Sequence, residues 1–180
     1  TSLSDIRDTV QRDSAAVTLL SIAAVGLIVL VTFRSLSIPL ILLLVIQGSI
    51  WFNMSIPYFT GFKMAYVGYL VISALQLGAT IDYGILLTGR YLEFRRALPK
   101  KEAANEAVKA AGPSILTSAL ILATAGFAYY FLSQVDSIAE LGMLIGRGAV
   151  TSMALTLLLL PALLVICDKL IQKTTVIGKK

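Results

Sequence analysis

The sequence contains no histidine and only one cysteine, Cys167. Without histidine, the chain cannot build a Ser-His-Asp or Cys-His catalytic arrangement, or an HExxH zinc helix. A lone cysteine can form neither an internal disulfide nor a thiolate cluster for a metal. Glycine is scattered without a phosphate-binding loop, so no nucleotide site is predicted. These absences predict a protein that is not an enzyme and that needs no metal ion or other cofactor.

Charged residues are also scarce, at 14% of the 180 residues, whereas apolar residues make up 57%. Soluble domains have about 25% charged and 45–50% apolar residues. The net charge of +5 does not predict nucleic-acid binding, because the basic residues lie beside apolar runs, where membrane topology explains them. The composition therefore predicts an all-α membrane protein, with membrane lipids as its surroundings.

Five apolar stretches are long enough to cross a bilayer, which takes roughly 20 residues each. They predict a bundle of five transmembrane helices over residues 15–33, 38–58, 64–88, 114–132 and 138–167. The polar stretch before the fourth span has alanines at helical spacing and predicts an amphipathic cytoplasmic helix over about 99–112. The transmembrane domain would then cover residues 14–168. Residues 1–13 are expected to end an extracellular domain or linker, and residues 169–180 to form a basic cytoplasmic tail.

The loops at the two ends of this bundle differ in charge. One end has Arg7, Arg12 and Lys63. The other end, called the basic face below, has Arg34, Arg90, Arg95, Arg96, Lys100, Lys101, Lys109, Lys169, Lys173, Lys179 and Lys180. Loops rich in Lys and Arg stay in the cytoplasm. We therefore expect a multi-pass protein of the plasma membrane with a cytoplasmic C-terminus.

Asp82 interrupts the third apolar run. It precedes Arg90 by about 12 Å of helix, which places it near the middle of a bilayer about 30 Å thick. A carboxylate at that depth costs about 2.5–3.5 kcal/mol and is by default a functional candidate. Apolar surroundings favour the protonated form of a carboxyl group, and water or a cation favours the charged form. Asp82 is therefore a predicted proton carrier with Tyr83 as its neighbour; the alternative is a structural aspartate held by hydroxyl groups.

Several other residues could support this site. Thr117, Ser118 and Thr124 on the fourth span could solvate the acid, although such hydroxyls often bond to their own helix backbone. Gly78 shares a helical face with Asp82, and small residues allow close helix contact.

The fifth span carries two charged residues, Glu140 and Arg147, on one face. They predict either a simple interfacial position or an ion pair involved in helix contact or gating. Gly142 and Gly146 form a GxxxG motif, which predicts a close-packing face in a membrane helix.

The chain resembles the MMPL branch of the resistance-nodulation-division (RND) transporters, which is similar to the sterol-sensing-domain proteins. The resemblance rests on Asp82 and Tyr83 followed by Arg90 and Glu93, within GATIDYGILLTGRYLEFRRALPKKEAANEAVKAAGPSILTSALI. It extends to RDSAAVTLLSIAAVGLIVLVTFRSLSIPLILLL and to LGMLIGRGAVTSMALTLLLLPALL, so nearly the whole chain is covered. The Asp-Tyr pair is the specific feature, since apolar helices alone are common.

This resemblance implies one half of a transmembrane domain whose two halves face each other and pass protons through acid-tyrosine pairs. Asp82 and Tyr83 match one such pair. The expected protein is a proton-driven exporter of lipidic or amphipathic molecules, whose partners are the other half and extracellular porter domains. The basic tail favours the C-terminal half. The alternatives are a non-transporting lipid- or sterol-sensing module and an RND-type protein-export accessory subunit.

Overall fold

The computed structural model of the chain describes residues 3–60 and 66–174, with side-chain surroundings for residues 16–56 and 72–174. The described chain is all-α. Its six helices are α1 (Leu3–Phe33), α2 (Ser37–Thr60), α3 (Tyr66–Arg95), α4 (Lys100–Leu132), α5 (Asp136–Ile166) and α6 (Asp168–Thr174). The predicted linker before the first span is therefore helical from Leu3 and continuous with that span.

Four of the helices are long and apolar enough to cross a membrane, judged over the described residues: α1, α2, α4 and α5. The expected count of five is thus not matched. The described part of α3 carries Gln76 and Asp82, whose polar side chains lower its hydropathy. Large apolar side chains such as Leu132 (80% exposed) and Leu158 (77%) lie on the outside of the bundle. Many exposed large apolar side chains of this kind are typical of a membrane interaction.

The residues of the amphipathic helix predicted over about 99–112 are helical from Lys100, but they form one helix with the fourth span, because α4 runs without a break from Lys100 to Leu132. Pro113 lies inside it, although proline removes a backbone hydrogen bond. The buried residues of α4 keep one spacing across the proline: Ala103, Ala107, Ala111, Ile115, Ala119 and Ala123. This continuous small-residue face packs against the bundle and favours one uninterrupted helix over two.

The contact between α4 and α5 is the most extensive in the bundle, and glycines allow it. A Cβ atom on Gly126 would lie 2.7 Å from the backbone oxygen of Gly142. A Cβ atom on Gly142 would lie 2.6 Å from the oxygen of Gly126, and one on Gly146 would lie 3.2 Å from that of Ala123. The two backbones therefore touch where the GxxxG motif of α5 meets α4.

The remaining helices pack around this pair. Both α2 and α3 pack against α5, whereas α1 contacts α2 and α3 at the edge of the bundle. At the basic face, α6 follows directly after Cys167 and buries Asp168 and Ile171. The first part of the predicted basic tail is therefore a packed helix, and residues 175–180 lie outside the described chain.

Candidate functional site

Asp82 is exposed, and it lines a cavity of about 250 Å³ between α3 and α4. The α4 side of this cavity includes Ser114 and Ser118. Within the described ranges, no hydrogen bond or ion pair to Asp82 occurs. Among the described residues, the hydroxyl groups of the neighbouring helix therefore do not hold the carboxylate in place.

Tyr83 follows Asp82 but points into the bundle, where it is only 6% exposed. It lines the Asp82 cavity and also a second, smaller cavity of about 20 Å³ bounded by Gln76 and Ser152. Successive residues of a helix point about 100° apart. The pair therefore places an acid on the open side of α3 and a phenol on its packed side.

The three hydroxyl residues predicted on α4 differ in position. Ser118 lines the Asp82 cavity. Thr117 donates a hydrogen bond to the backbone oxygen of Pro113 (2.8 Å), and Thr124 donates to that of Leu120 (2.7 Å). These two threonines bond to their own helix, as the alternative interpretation held. Ser114 also lines the cavity and was missed, although it lies one turn before Ser118.

Gly78 is exposed, and a Cβ atom there would meet no described atom within 4 Å. Its predicted packing role therefore finds no partner helix in the described part of this chain. Gly78 lies on the open side of α3, one turn before Asp82.

Arg147 does not pair with Glu140; the ion pairs among described residues include neither. Instead, the Arg147 Nε donates to Asn53 Oδ1 (2.9 Å), and Nη2 donates to the backbone oxygen of Asn53 (3.1 Å). The arginine thus joins α5 to α2. An uncharged amide, fully buried at the α2–α5 contact, replaces the expected carboxylate partner.

A group of polar side chains, buried except for the half-buried arginine, extends from this contact, and we call it the amide cluster: Ser49, Asn53, Gln76, Arg147 and Ser152. Asn53 Nδ2 donates to Gln76 Oε1 (2.9 Å). Gln76 Nε2 donates to Ser49 Oγ (2.8 Å) and to Ser152 Oγ (3.1 Å), and the two serine oxygens are 2.8 Å apart. The cluster joins α2, α3 and α5. Sequence reasoning missed it, although Ser49, Asn53 and Gln76 stand out as polar residues in apolar runs.

A second polar group lies at the basic face and joins α3 to α6. Tyr91 donates to Asp168 Oδ1 (2.7 Å), and Arg95 donates to both carboxylate oxygens (3.0 and 3.1 Å). Burial would raise the pKa of Asp168, but the hydrogen bonds from Arg95 and Tyr91 outweigh it and lower the pKa below its usual value. Burial, together with this charged partner, raises the pKa of Tyr91.

Among the described residues, no cluster of three His, Cys, Asp or Glu side chains occurs. Cys167 is a free, half-buried thiol at the end of α5.

An apolar exterior around polar interhelical contacts, with an acid on one of the helices, defines a multi-pass helical membrane protein. The MMPL family model matches residues 1–174. The chain belongs to the MMPL family, a branch of the RND transporters.

Two curated relatives come from Streptomyces coelicolor. The membrane protein ActII-3 is 32% identical over 154 residues, which is 83% of this chain and 22% of that protein. A second Streptomyces membrane protein is 30% identical over 159 residues, 86% of this chain and 22% of its own length. A membrane protein of Methanocaldococcus jannaschii is 36% identical over 99 residues, covering 54% of this chain and 25% of that protein. The chain thus spans about a fifth to a quarter of the length of these relatives.

Proposed function

We propose that this chain is part of the transmembrane, proton-coupling domain of a secondary active exporter of lipidic or amphipathic molecules. In this proposal, α3 crosses the membrane with the other four long helices, and the basic face lies in the cytoplasm at the plasma membrane. The proton carrier is Asp82, and the adjacent Tyr83 is the second member of the proton relay.

The observation that carries the proposal is the unpartnered Asp82 carboxylate, which faces a cavity on a helix packed within an apolar bundle. Placing a carboxylate at mid-membrane costs about 2.5–3.5 kcal/mol. No hydrogen bond to another described residue offsets this cost, which supports a role for the acid other than holding these helices together. Reversible binding of a proton is the use that its chemistry permits.

The energetics suit transport. Each proton that crosses 100 mV releases about 2.3 kcal/mol. Protonation of Asp82 removes a charge from the apolar layer and shifts the balance between two packings of the bundle. Since the open side of α3 carries both Gly78 and Asp82, we place the other half of the transporter against this side. The other half and the porter domains would come from the remaining length that the relatives have.

The test uses full-length protein reconstituted in vesicles, with Nile red as the amphipathic probe and an imposed pH gradient as the driving force. Asp82→Asn keeps the shape of the side chain but cannot release a proton. We expect it to lower gradient-driven dye movement by at least tenfold, whereas Asp82→Glu retains part of the activity. Glu102→Gln is the matched control, because Glu102 is an exposed acid in the first turn of α4.

Normal dye movement by a well-folded Asp82→Asn protein would exclude the relay assignment and favour the structural or lipid-sensing alternative. Dye movement by the wild-type protein that persists after a protonophore collapses the gradient would exclude proton coupling altogether. A wild-type protein that moves no dye would contradict the assignment of amphipathic cargo.

A further inference from the structure

The amide cluster lies on the far side of Asp82 from the basic face. Gln76 precedes Asp82 by about 9 Å of helix, toward the start of α3. On α5, Arg147 lies in the half of the helix remote from α6, and Ser152 lies near the middle, where it contacts Gln76. The cluster therefore occupies the half of the bundle between Asp82 and the face opposite the basic one.

The hydrogen bonds of the cluster have a fixed direction. Arg147 can only donate, so the amide oxygen of Asn53 faces the arginine and its NH2 group faces Gln76. Gln76 in turn presents its NH2 group to both serine oxygens. The two serines share one hydrogen bond with each other, which leaves one hydroxyl hydrogen uncommitted. When Ser49 donates to Ser152, the uncommitted hydrogen is that of Ser152.

Ser152 lines the smaller cavity, together with Gln76 and Tyr83. The volume of this smaller cavity, about 20 Å³, is sufficient for one water molecule. A buried water needs roughly 10–15 Å³ and two to four polar partners. The two cavities share Ala79, Tyr83 and Leu122 as lining residues. Tyr83 therefore lies between the amide cluster and the cavity that contains Asp82.

Two buried threonines supply an independent observation. Thr80 and Thr156 are each 1% exposed, and their hydroxyl oxygens have no hydrogen-bond partner among the described residues. Thr80 lies one helical turn after Gln76, and Thr156 lies one helical turn after Ser152. Gln76 and Ser152 are hydrogen-bonded to each other. Buried hydroxyls without a protein partner are typical water-binding positions. A line of polar groups thus continues from the cluster toward the level of Asp82.

We propose that the amide cluster, Thr80 and Thr156 bind water and form the path by which protons reach Asp82 from the face opposite the basic one. Tyr83 lies where this path meets the Asp82 cavity, since it lines both cavities. A hydronium ion in the path gives its proton to the Asp82 carboxylate; one O–H bond breaks, one forms, and a neutral water remains. Arg147 acts as a positioning residue that orients Asn53. This inference rests on the proposed proton coupling and adds the route.

The test measures proton uptake into vesicles that contain the full-length protein, with a trapped pH-sensitive dye. Thr80→Val and Thr156→Val keep the side-chain shape and remove a hydroxyl that bonds to no described residue. A purely structural role therefore predicts unchanged folding and unchanged uptake. We expect each variant to fold normally and to lower Asp82-dependent proton uptake at least fivefold.

Two matched comparisons sharpen the test. Thr124→Val removes a hydroxyl that bonds only to its own helix on α4, so uptake should stay within twofold of wild type. Ser152→Thr keeps a hydroxyl group at this position and should retain proton uptake. Valine has the same shape as threonine but no hydroxyl group, so Ser152→Val should lose proton uptake.

Unchanged uptake in Thr80→Val, Thr156→Val and Ser152→Val, alongside loss in Asp82→Asn, would overturn the route and leave the proposed function intact. Equal loss in Thr124→Val would also overturn it, because the effect would then not be specific to the path. Unchanged uptake in Asp82→Asn would overturn the proposed function and this inference together.

Discussion

At the residue scale, Gly148 shows how tightly the amide cluster is packed. A Cβ atom on Gly148 would lie 2.8 Å from Asn53 Nδ2 and 3.0 Å from Gln76 Oε1, the two atoms that hydrogen-bond to each other. Any larger side chain must therefore push these amides apart. The glycine is needed for space, since α5 is an ordinary helix at this point.

We expect Gly148→Ala to destabilise the protein by about 1–3 kcal/mol, which is typical of overpacking a buried site. The measurement is thermal unfolding of the purified protein in detergent. Gly112→Ala is the control, because a Cβ atom there meets no described atom within 4 Å and alanine favours helix. Equal stability of Gly148→Ala and Gly112→Ala would show that the amide cluster accommodates an added methyl group without loss of stability.

At the element scale, α6 is too short to be stable alone and depends on its contacts with α2 and α3. Asp168 binds Tyr91 and Arg95 on α3, and the Thr174 hydroxyl donates to Ser37 Oγ (2.9 Å). Seven residues cannot form a stable isolated helix in water. Loss of Asp168 should therefore release α6 from the bundle.

We expect Asp168→Asn to weaken this attachment by about 2–3 kcal/mol at neutral pH, because hydrogen bonds to a charged group are lost. The pKa of Asp168 is lower in the folded state, so its contribution is full above the ordinary value near 4 and falls as acid protonates the folded carboxylate. Wild type and variant should thus converge in acid. Amide hydrogen exchange of α6, corrected for intrinsic rates, measures both effects. A wild-type rate equal to that of the variant at pH 7 would contradict the attachment.

At the scale of the whole molecule, the topology follows from the alternation of helices. If α2 and α3 both cross the membrane, the turn after α1 and the turn before α4 lie on the same side. If α3 does not cross, they lie on opposite sides. The position of α3 therefore decides between four and five crossings, whatever its hydropathy.

We expect Leu36→Cys and Lys101→Cys to react with an impermeant thiol reagent only after cells are permeabilised, and Gln134→Cys to react in intact cells. The background is a full-length protein without native cysteines, with Cys167 replaced by serine. All three positions are exposed. Labelling of Leu36→Cys and Lys101→Cys from opposite sides would exclude a crossing by α3.

The sequence was sufficient to predict the helical membrane class and the family. Both follow from local information, namely long apolar runs and a short motif. The sequence also located the turns near Arg34 and Ser133 well, because polar residues interrupt the apolar pattern there. It missed the continuity of α4, since Pro113 is a local signal for a break and the alanine face that overrides it acts through packing.

Only the tertiary structure decided which polar residues meet. Arg147 could have bound Glu140 on its own helix, but the fold brings Asn53 of α2 within 2.9 Å instead. The same holds for Gln76 and Ser152, which are far apart in sequence and join in the core. Helix periodicity assigns each side chain to a face, whereas its partner depends on how whole helices pack. Composition and motifs therefore determined the class and the acid, and packing determined the amide cluster and the surroundings of Asp82.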